Sequence, residues 1–305
     1  MKQVISIEAL SDDALNYIYA AARQPRLGNE LAGVHVGLAF EHPSLRTRAS
    51  SVAAVQELGG WLSQFTGSEF GLDTRESAED VIRTLAQTCA IVALRVRHHG
   101  VFDRMAAVAG GQVSLINLLS DHEHPTQAIA DVLTLADHFG HGDVAALAGR
   151  KFAYVGDANN VTRSLAGALV RLGATVSVGA PQGYQFSDAD AAAIRAQSSH
   201  GELVLTHDPH EAVSGADAIY TDTWVSMGSE SEAAERRAAL KPFCVNETLM
   251  ATANPGAVFL HCLPAHRNDE VTDEVLDGPT SLIWQQVHHR TSSMVGILRW
   301  LKESA

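Results

Sequence analysis

Short runs of β-branched and apolar residues alternate with longer stretches of helical spacing along this chain, the pattern of parallel strand and helix units. In the first half the strand-like runs are residues 34–40, 91–96 and 113–118, separated by helix-compatible stretches such as 49–58, 77–88 and 101–109. In the second half they are residues 152–155, 175–179, 203–206, 218–221 and 258–261, again with helical intervals. Between the halves, residues 125–139 read as a helix with Pro125 in its first turn, followed by the loop-like Gly140-His141-Gly142-Asp143. The final stretch, 291–303, places Met294, Ile297, Leu298 and Leu301 at helical spacing, so it is expected to pack back on the first half. The fold predicted is α/β with two domains, each an open parallel sheet flanked by helices, joined by interdomain helices. The expected division is residues 1–138 completed by 291–305, and residues 139–290.

Composition fits this picture and narrows the function. The 305 residues are 46% hydrophobic, enough to bury two ordinary cores. A formal charge of −13 argues against broad attraction to nucleic acid or to an anionic membrane, so any bound anion must be held locally. The three cysteines, Cys89, Cys244 and Cys262, are widely spaced and form no CxxC pair, which suggests neither a disulfide framework nor a thiolate zinc site. The start of the chain lacks the apolar core of a signal peptide, and no stretch reaches the roughly 18 apolar residues of a membrane span. A soluble, unprocessed cytoplasmic protein with no nucleic-acid or membrane partner is expected.

The candidate chemistry falls where strands should end, which is where open α/β sheets bind ligands. Ser44-Leu45-Arg46-Thr47-Arg48 follows the first apolar run and precedes a helix-compatible stretch. Guanidinium groups, hydroxyls and the free amides of a helix N-terminus would converge there into an anion site, with phosphate as its guest. Arg95 ends the second run, and His124-Pro125-Thr126-Gln127 follows the third by a short loop. In the other half, Gly156-Asp157-Ala158-Asn159-Asn160, then Asp222-Thr223-Trp224-Val225-Ser226-Met227-Gly228, then His261-Cys262-Leu263-Pro264 each follow a strand-like run. One half thus offers cations to an anion, and the other offers a carboxylate, an amide and a thiol to an amine-bearing ligand. A cleft between the halves is expected to bring two substrates together.

Four of these motifs, in this order, resemble the aspartate/ornithine carbamoyltransferase family over nearly the whole chain: Ser44 to Arg48, His124 to Gln127, Asp222 to Gly228, and His261 to Pro264. The first two are shared by both branches of the family and speak for carbamoyl phosphate; the last two speak for its ornithine-using branch. The resemblance implies that the first domain binds carbamoyl phosphate and the second binds L-ornithine. Ser44, Arg46, Thr47 and the amide of Leu45 would hold phosphate. Arg95, His124 and Thr47 would point donors at the carbonyl oxygen, and Gln127 would bind the carbamoyl amine. Arg290 matches an arginine that in the family follows the last strand and contacts the carbamoyl group. Asn160, Asp222, Ser226 and Met227 match positions that hold the amino-acid end of ornithine, and Cys262 and Leu263 line the carbamoyl group and the δ-amine. Arg95, His124, Cys262 and Arg290 are therefore the expected catalytic residues. No cofactor and no metal are implied, since arginines neutralise the phosphate. Family members are trimers whose sites receive a side chain from a neighbouring subunit, here expected from the loop 67–77. Domain closure on the second substrate is expected as well.

Three departures bear on the acceptor. Leu45 replaces a common threonine, as in members acting on N-acylated ornithines; Asp73-Thr74 replaces a Gly-Lys step; and His288-His289 replaces an acidic pair. A sister enzyme using an N-acylated or modified ornithine or putrescine, and an inactive regulatory homologue, stay open beside the ornithine reading. The remaining signals have plainer readings. The pairs His98-His99, His122 with His124, and His288-His289 lack the spacing of a zinc site. For Asn159 a plain turn stays open as an alternative to a ligand-facing role. Glu230, Glu232 and Glu235 beside Arg236 and Arg237 read as a solvated helix face, and His266 and Arg267 receive no role.

Overall fold

The computed structural model describes residues 1–198, 200–225 and 230–303. Its contacts divide the chain into two compact units, Met1–Ala130 with His288–Ala305, and Asp131–Val287. Both divisions fall inside helices, Pro125–Gly140 and Ile283–Lys302.

The first unit is built on a parallel sheet of β1 (His35–Phe40), β2 (Trp61–Thr66), β3 (Ile91–Arg95) and β4 (Ser114–Leu119), in the order β2-β1-β3-β4. β3 is buried along its whole length, as a central parallel strand must be when helices cover both faces. One such face carries the helices Ala78–Leu85 and Val101–Ala109, whose Val81, Ile82, Phe102 and Met105 pack with Val92 and Leu94. The C-terminal helix is fastened to the helix Asp12–Arg23 in the same unit. Arg299 Nη1 donates to the carbonyl of Ala21 at 2.6 Å, and Gly296 lies where a Cβ would meet the carbonyl oxygen of Ile18 at 2.4 Å.

The second unit carries β5 (Lys151–Val155), β6 (Thr175–Gly179), β7 (Glu202–Thr206), β8 (Ala218–Thr221) and β9 (Val258–His261), all parallel, in the order β7-β6-β5-β8-β9. Val155, Ile219 and Phe259 from the sheet pack with Phe243, Val245, Leu249 and Val271.

In each unit the strand order reverses once, between β1 and β3 and between β5 and β8. Crossovers leave to opposite sides at such a point, so a crevice opens beyond the strand ends. Ser44 follows β1, Arg95 closes β3, Asn159 and Asn160 follow β5, and Asp222 follows β8. The fold thus delivers these side chains to its two switch points.

The α/β class and the parallel sheets match the expectation from sequence. One strand was not legible: β2 is an edge strand whose side chains are largely exposed, Trp61 at 65%. The mixed run Trp-Leu-Ser-Gln-Phe-Thr therefore lacks the continuous apolar signature of a buried parallel strand. The last helix also starts at Ile283, earlier than the 291–303 periodicity suggested, because polar Gln285, Gln286, His288, His289 and Arg290 mask its first two turns. Arg290, which follows the last strand, consequently stands within this helix. Among the described residues no helix is long and apolar enough to cross a membrane.

The approach of Gly296 to Ile18 predicts that Gly296→Ala lowers folding stability by about 1–3 kcal/mol, despite alanine's better helix propensity, because overpacking dominates. Denaturant unfolding with an unchanged slope and a lower midpoint is the expected result.

Candidate active site

In the first unit, the helix Leu45–Glu57 begins directly after the β1 turn, so the amides of its first turn have no intrahelical partner. Ser44 is its N-cap residue, yet its side chain makes no capping hydrogen bond, which leaves the hydroxyl available at the turn. Arg46 and Ser44 are half-buried and Thr47 is buried, whereas the Leu45 side chain is 80% exposed, so only its backbone faces the turn. Arg48 points elsewhere, with its guanidinium over the Phe40 ring at 4.7 Å.

Arg290 is the hub of the buried part. Its Nη2 donates to Thr47 Oγ1 at 2.9 Å, its Nη1 donates to Gln127 Oε1, and the same Nη1 meets His124 Nε2 at 3.3 Å. Thr47, His124, Gln127 and Arg290 are all nearly inaccessible to solvent, as is Arg95. A guanidinium can only donate, so Nε2 of His124 accepts and the ring proton sits on Nδ1, which donates to Thr126 Oγ1 at 3.3 Å. Burial, then Arg290, then Arg95 hold the His124 pKa well below its ordinary value, so the imidazole is neutral. Pro125 starts the helix Pro125–Gly140, which puts His124 and Gln127 one turn apart on one face; the Gln127 amide donates to the His124 carbonyl at 3.0 Å. Ser44, Leu45, Arg46, Thr47, Arg95, His124, Gln127 and Arg290 thus all lie in this unit, and four of them are joined by hydrogen bonds.

Cys262 and Leu263 belong to the second unit, where Asp222 is the hub. Cys262 Sγ donates to Asp222 Oδ1 at 2.8 Å, Asn159 Nδ2 donates to Asp222 Oδ2 at 2.8 Å, and the Thr223 amide donates to Oδ1 at 2.8 Å. Of the two readings open for Asn159, the structure disfavours the plain turn. Asn159 caps the helix Asn160–Arg171 with its Oδ1 and grips Asp222 with its Nδ2, whereas Asn160 Oδ1 accepts from the Val161 amide at 3.0 Å. Ser226 and Met227 lie outside the described residues. Asp222, His261 and Cys262 place one ligand-type atom each within 4.8 Å of one another. Asp222 Oδ1 and Cys262 Sγ share a hydrogen bond, and His261 Nδ1 accepts from the Leu263 amide at 2.8 Å.

Arg236 also departs from its sequence reading as part of a solvated face. Its side chain is 11% exposed; Nε donates to the Trp224 carbonyl at 2.6 Å, Nη2 donates to Asp157, and the guanidinium lies 5.0 Å from the Tyr184 ring centre. Burial raises the Asp157 pKa, and Arg236 opposes that rise. Arg236 thereby ties the stretch after Asp222 to the turn after β5, a pairing of residues 79 positions apart that no local pattern reveals. His266 Nδ1 and Thr223 Oγ1 lie 3.0 Å apart, and Arg267 pairs at the surface with Asp273 and Asp277. In the loop 67–77, Asp73 is held by Arg104 through two 2.7 Å hydrogen bonds, and Arg75 is exposed.

Two family models match the chain. The carbamoyl-phosphate-binding domain of aspartate/ornithine carbamoyltransferase matches residues 2–137, and the aspartate/ornithine-binding domain matches residues 148–301. The chain is similar to the ornithine carbamoyltransferase of Hyperthermus butylicus, 40% identical over 97% of this chain and 96% of that protein. It is also similar to the anabolic ornithine carbamoyltransferase of Pyrococcus furiosus, 41% identical over 88% of this chain and 84% of that one. Among solved structures, the Pyrococcus furiosus ornithine carbamoyltransferase superposes with a TM-score of 0.89 at 36% identity, covering 97% of this chain and 96% of that chain.

The depressed His124 pKa carries a pH prediction. The unfolded chain takes up a proton on this histidine near 6.5, and the folded protein resists it. The stabilising contribution is therefore full above that value and declines as the pH falls below it, because the unfolded state binds the proton first. The His124 ring resonances should remain those of a neutral imidazole at about pH 5.5, and His124→Asn should flatten the acid-side decline in stability.

Proposed function

The chain belongs to the aspartate/ornithine carbamoyltransferase family and is a carbamoyltransferase, and on that premise we propose how it transfers the carbamoyl group of carbamoyl phosphate to the δ-amine of L-ornithine, giving L-citrulline and phosphate. The observation that carries the reading is the bonding of Arg290 to Thr47, His124 and Gln127 beside the N-terminal turn of the helix Leu45–Glu57. A buried, positive and donor-rich pocket of this kind suits a dianion joined to a carbonyl.

In this reading Ser44, Arg46, Thr47 and the Leu45 amide bind the phosphate. Arg95, Thr47 and His124 serve the carbonyl oxygen, where negative charge grows as the tetrahedral intermediate forms. Substrate binding would draw the Arg290 guanidinium from His124 onto the carbamoyl group, freeing the imidazole to reorient its proton. Gln127 would then accept from the carbamoyl amine. For the acceptor, Asp222 would pair with the α-ammonium, with Asn160, Ser226 and Met227 completing the amino-acid end and Cys262 beside the δ-amine. That amine is protonated near neutral pH, as a lysine is, and only its neutral form carries a lone pair. The lone pair attacks the carbonyl carbon, the bond from that carbon to the bridging oxygen breaks, and the departing phosphate takes the amine's proton. No protein base is needed for this balance. A homotrimer in the cytoplasm, acting in arginine biosynthesis, is part of the same reading.

One observation favours a modified acceptor, the apolar Leu45 at the phosphate turn. Against it, an acylated nitrogen carries no charge for Asp222 to pair with, and Asp222 is buried and held by three donors. The test is an acceptor panel of L-ornithine, N-acetylornithine, N-succinylornithine, putrescine, lysine and aspartate, scored for carbamoylated product. L-Ornithine is expected to lead, with kcat/KM rising with pH as its δ-amine loses the proton. Asp222→Asn should raise the KM for ornithine about a hundredfold while leaving that for carbamoyl phosphate little changed. A preference for an acylated ornithine would replace the proposed acceptor, and no product from any would refute the transfer.

A further inference from the structure

We propose that His261 is a positioning residue of the acceptor site, its ring fixing the turn that aims Cys262 and Leu263. The inference rests on the reading of those two residues as the ones that meet the reacting amine. His261 ends β9 and is wholly buried. Its Nδ1 accepts the Leu263 amide at 2.8 Å, so the side chain of one residue captures the backbone two positions on, as an asparagine does in an Asx-turn. Leu263 needs such a restraint. Its φ of +58° lies in the left-handed region that a leucine rarely adopts, and such conformations persist only where the surroundings over-determine them.

His261 has buried polar neighbours on its ring side and on its backbone side. Because the Leu263 amide is the donor, Nδ1 holds the lone pair and the proton lies on Nε2. Nε2 faces the equally buried Glu270 Oε1 at 3.4 Å, and the same oxygen accepts from the His266 amide. On the backbone side, the His261 amide donates to Gln286 Oε1 at 2.9 Å, and Gln286 Nε2 donates to Asp131 Oδ1 at 2.8 Å. Gln286 and Asp131 are fully buried too. A chain of buried polar groups therefore ends on one amide, and Cys262 stands between its two anchored neighbours. Loosening Leu263 frees the Cα to Cβ direction of Cys262, and with it the 2.8 Å contact of Sγ with Asp222. A histidine serving the core alone would satisfy its ring on any neighbour; this one satisfies it on the residue whose conformation shapes the site.

The experiment compares His261→Asn, whose Oδ1 can reach the place of Nδ1, with His261→Leu, which offers no acceptor. Both are measured beside the unsubstituted full-length enzyme, with kcat and both KM values expressed per folded protein and with thermal midpoints. Both variants should be less stable. His261→Leu should lose about tenfold or more in kcat/KM for ornithine with the KM for carbamoyl phosphate nearly unchanged, and His261→Asn should recover most of that loss. Gln286→Leu, which releases the turn from its backbone side, should show the same selective loss and answers the question if His261→Leu does not fold. Equal activity of the Asn and Leu variants beside an active parent, a loss falling equally on carbamoyl phosphate, or unaltered kinetics in Gln286→Leu would overturn the positioning role. Absence of citrulline from the parent would instead overturn the reading on which the role rests.

Discussion

Positive charge held out of water is the constraint around which the first unit is organised. Arg95 and Arg290 are buried, and their joint potential, added to desolvation, keeps His124 neutral. Placing a guanidinium in such surroundings is costly unless it is richly hydrogen-bonded. Arg290 meets that requirement with the hydroxyl of Thr47, the amide oxygen of Gln127 and the lone pair of His124, three neutral acceptors from two helices and one loop. These neutral acceptors hold the arginine in place without themselves cancelling its charge. A carboxylate in the same position would have fixed it equally well and cancelled the field that an anionic substrate uses. The helix starting at Leu45 turns its N-terminus to the same region, with a macrodipole of the same sign.

The second unit solves a different problem by a related means. There the hub is a carboxylate, Asp222, and its restraints are donors: the Cys262 thiol, the Asn159 amide group and the Thr223 backbone. Both hubs sit beside a reversal of strand order, where a parallel sheet opens. The architecture repeats; the sign of the charge at the hub does not. On the proposed reading, that difference is what sorts a phosphate-bearing donor and an ammonium-bearing acceptor to different units.

Much of this was legible in the sequence because parallel strands buried on both faces write continuous apolar runs, as residues 91–96 and 258–261 do. β2 was not, since an edge strand with Trp61 exposed carries no such run. The site divides in the same way. Ser44 to Arg48 and His124 to Gln127 are contiguous in the chain, so their chemistry is visible at short range. The roles of Asn159, Thr126 and Arg236 depend on partners brought close only by folding, as with Arg236 and Asp157. Polar spacing likewise hid the start of the last helix and so the setting of Arg290, whose match to the family was legible when its place in a helix was not. The buried polar chain from Asp131 through Gln286 to His261 spans residues 155 positions apart in one of its links and leaves no local trace at all.

The claim that most of this depends on is that Arg290 is held by neutral groups in order to bind a dianion. Calorimetric titration of the full chain with the phosphonate analogue of carbamoyl phosphate, in which a methylene replaces the bridging oxygen, tests it most directly. The account predicts binding without any acceptor present, and affinity reduced about a hundredfold in a well-folded Arg290→Gln variant. Equal affinity in the two proteins would contradict it, and would make the arginine a structural tie between Thr47 and Gln127 and nothing more.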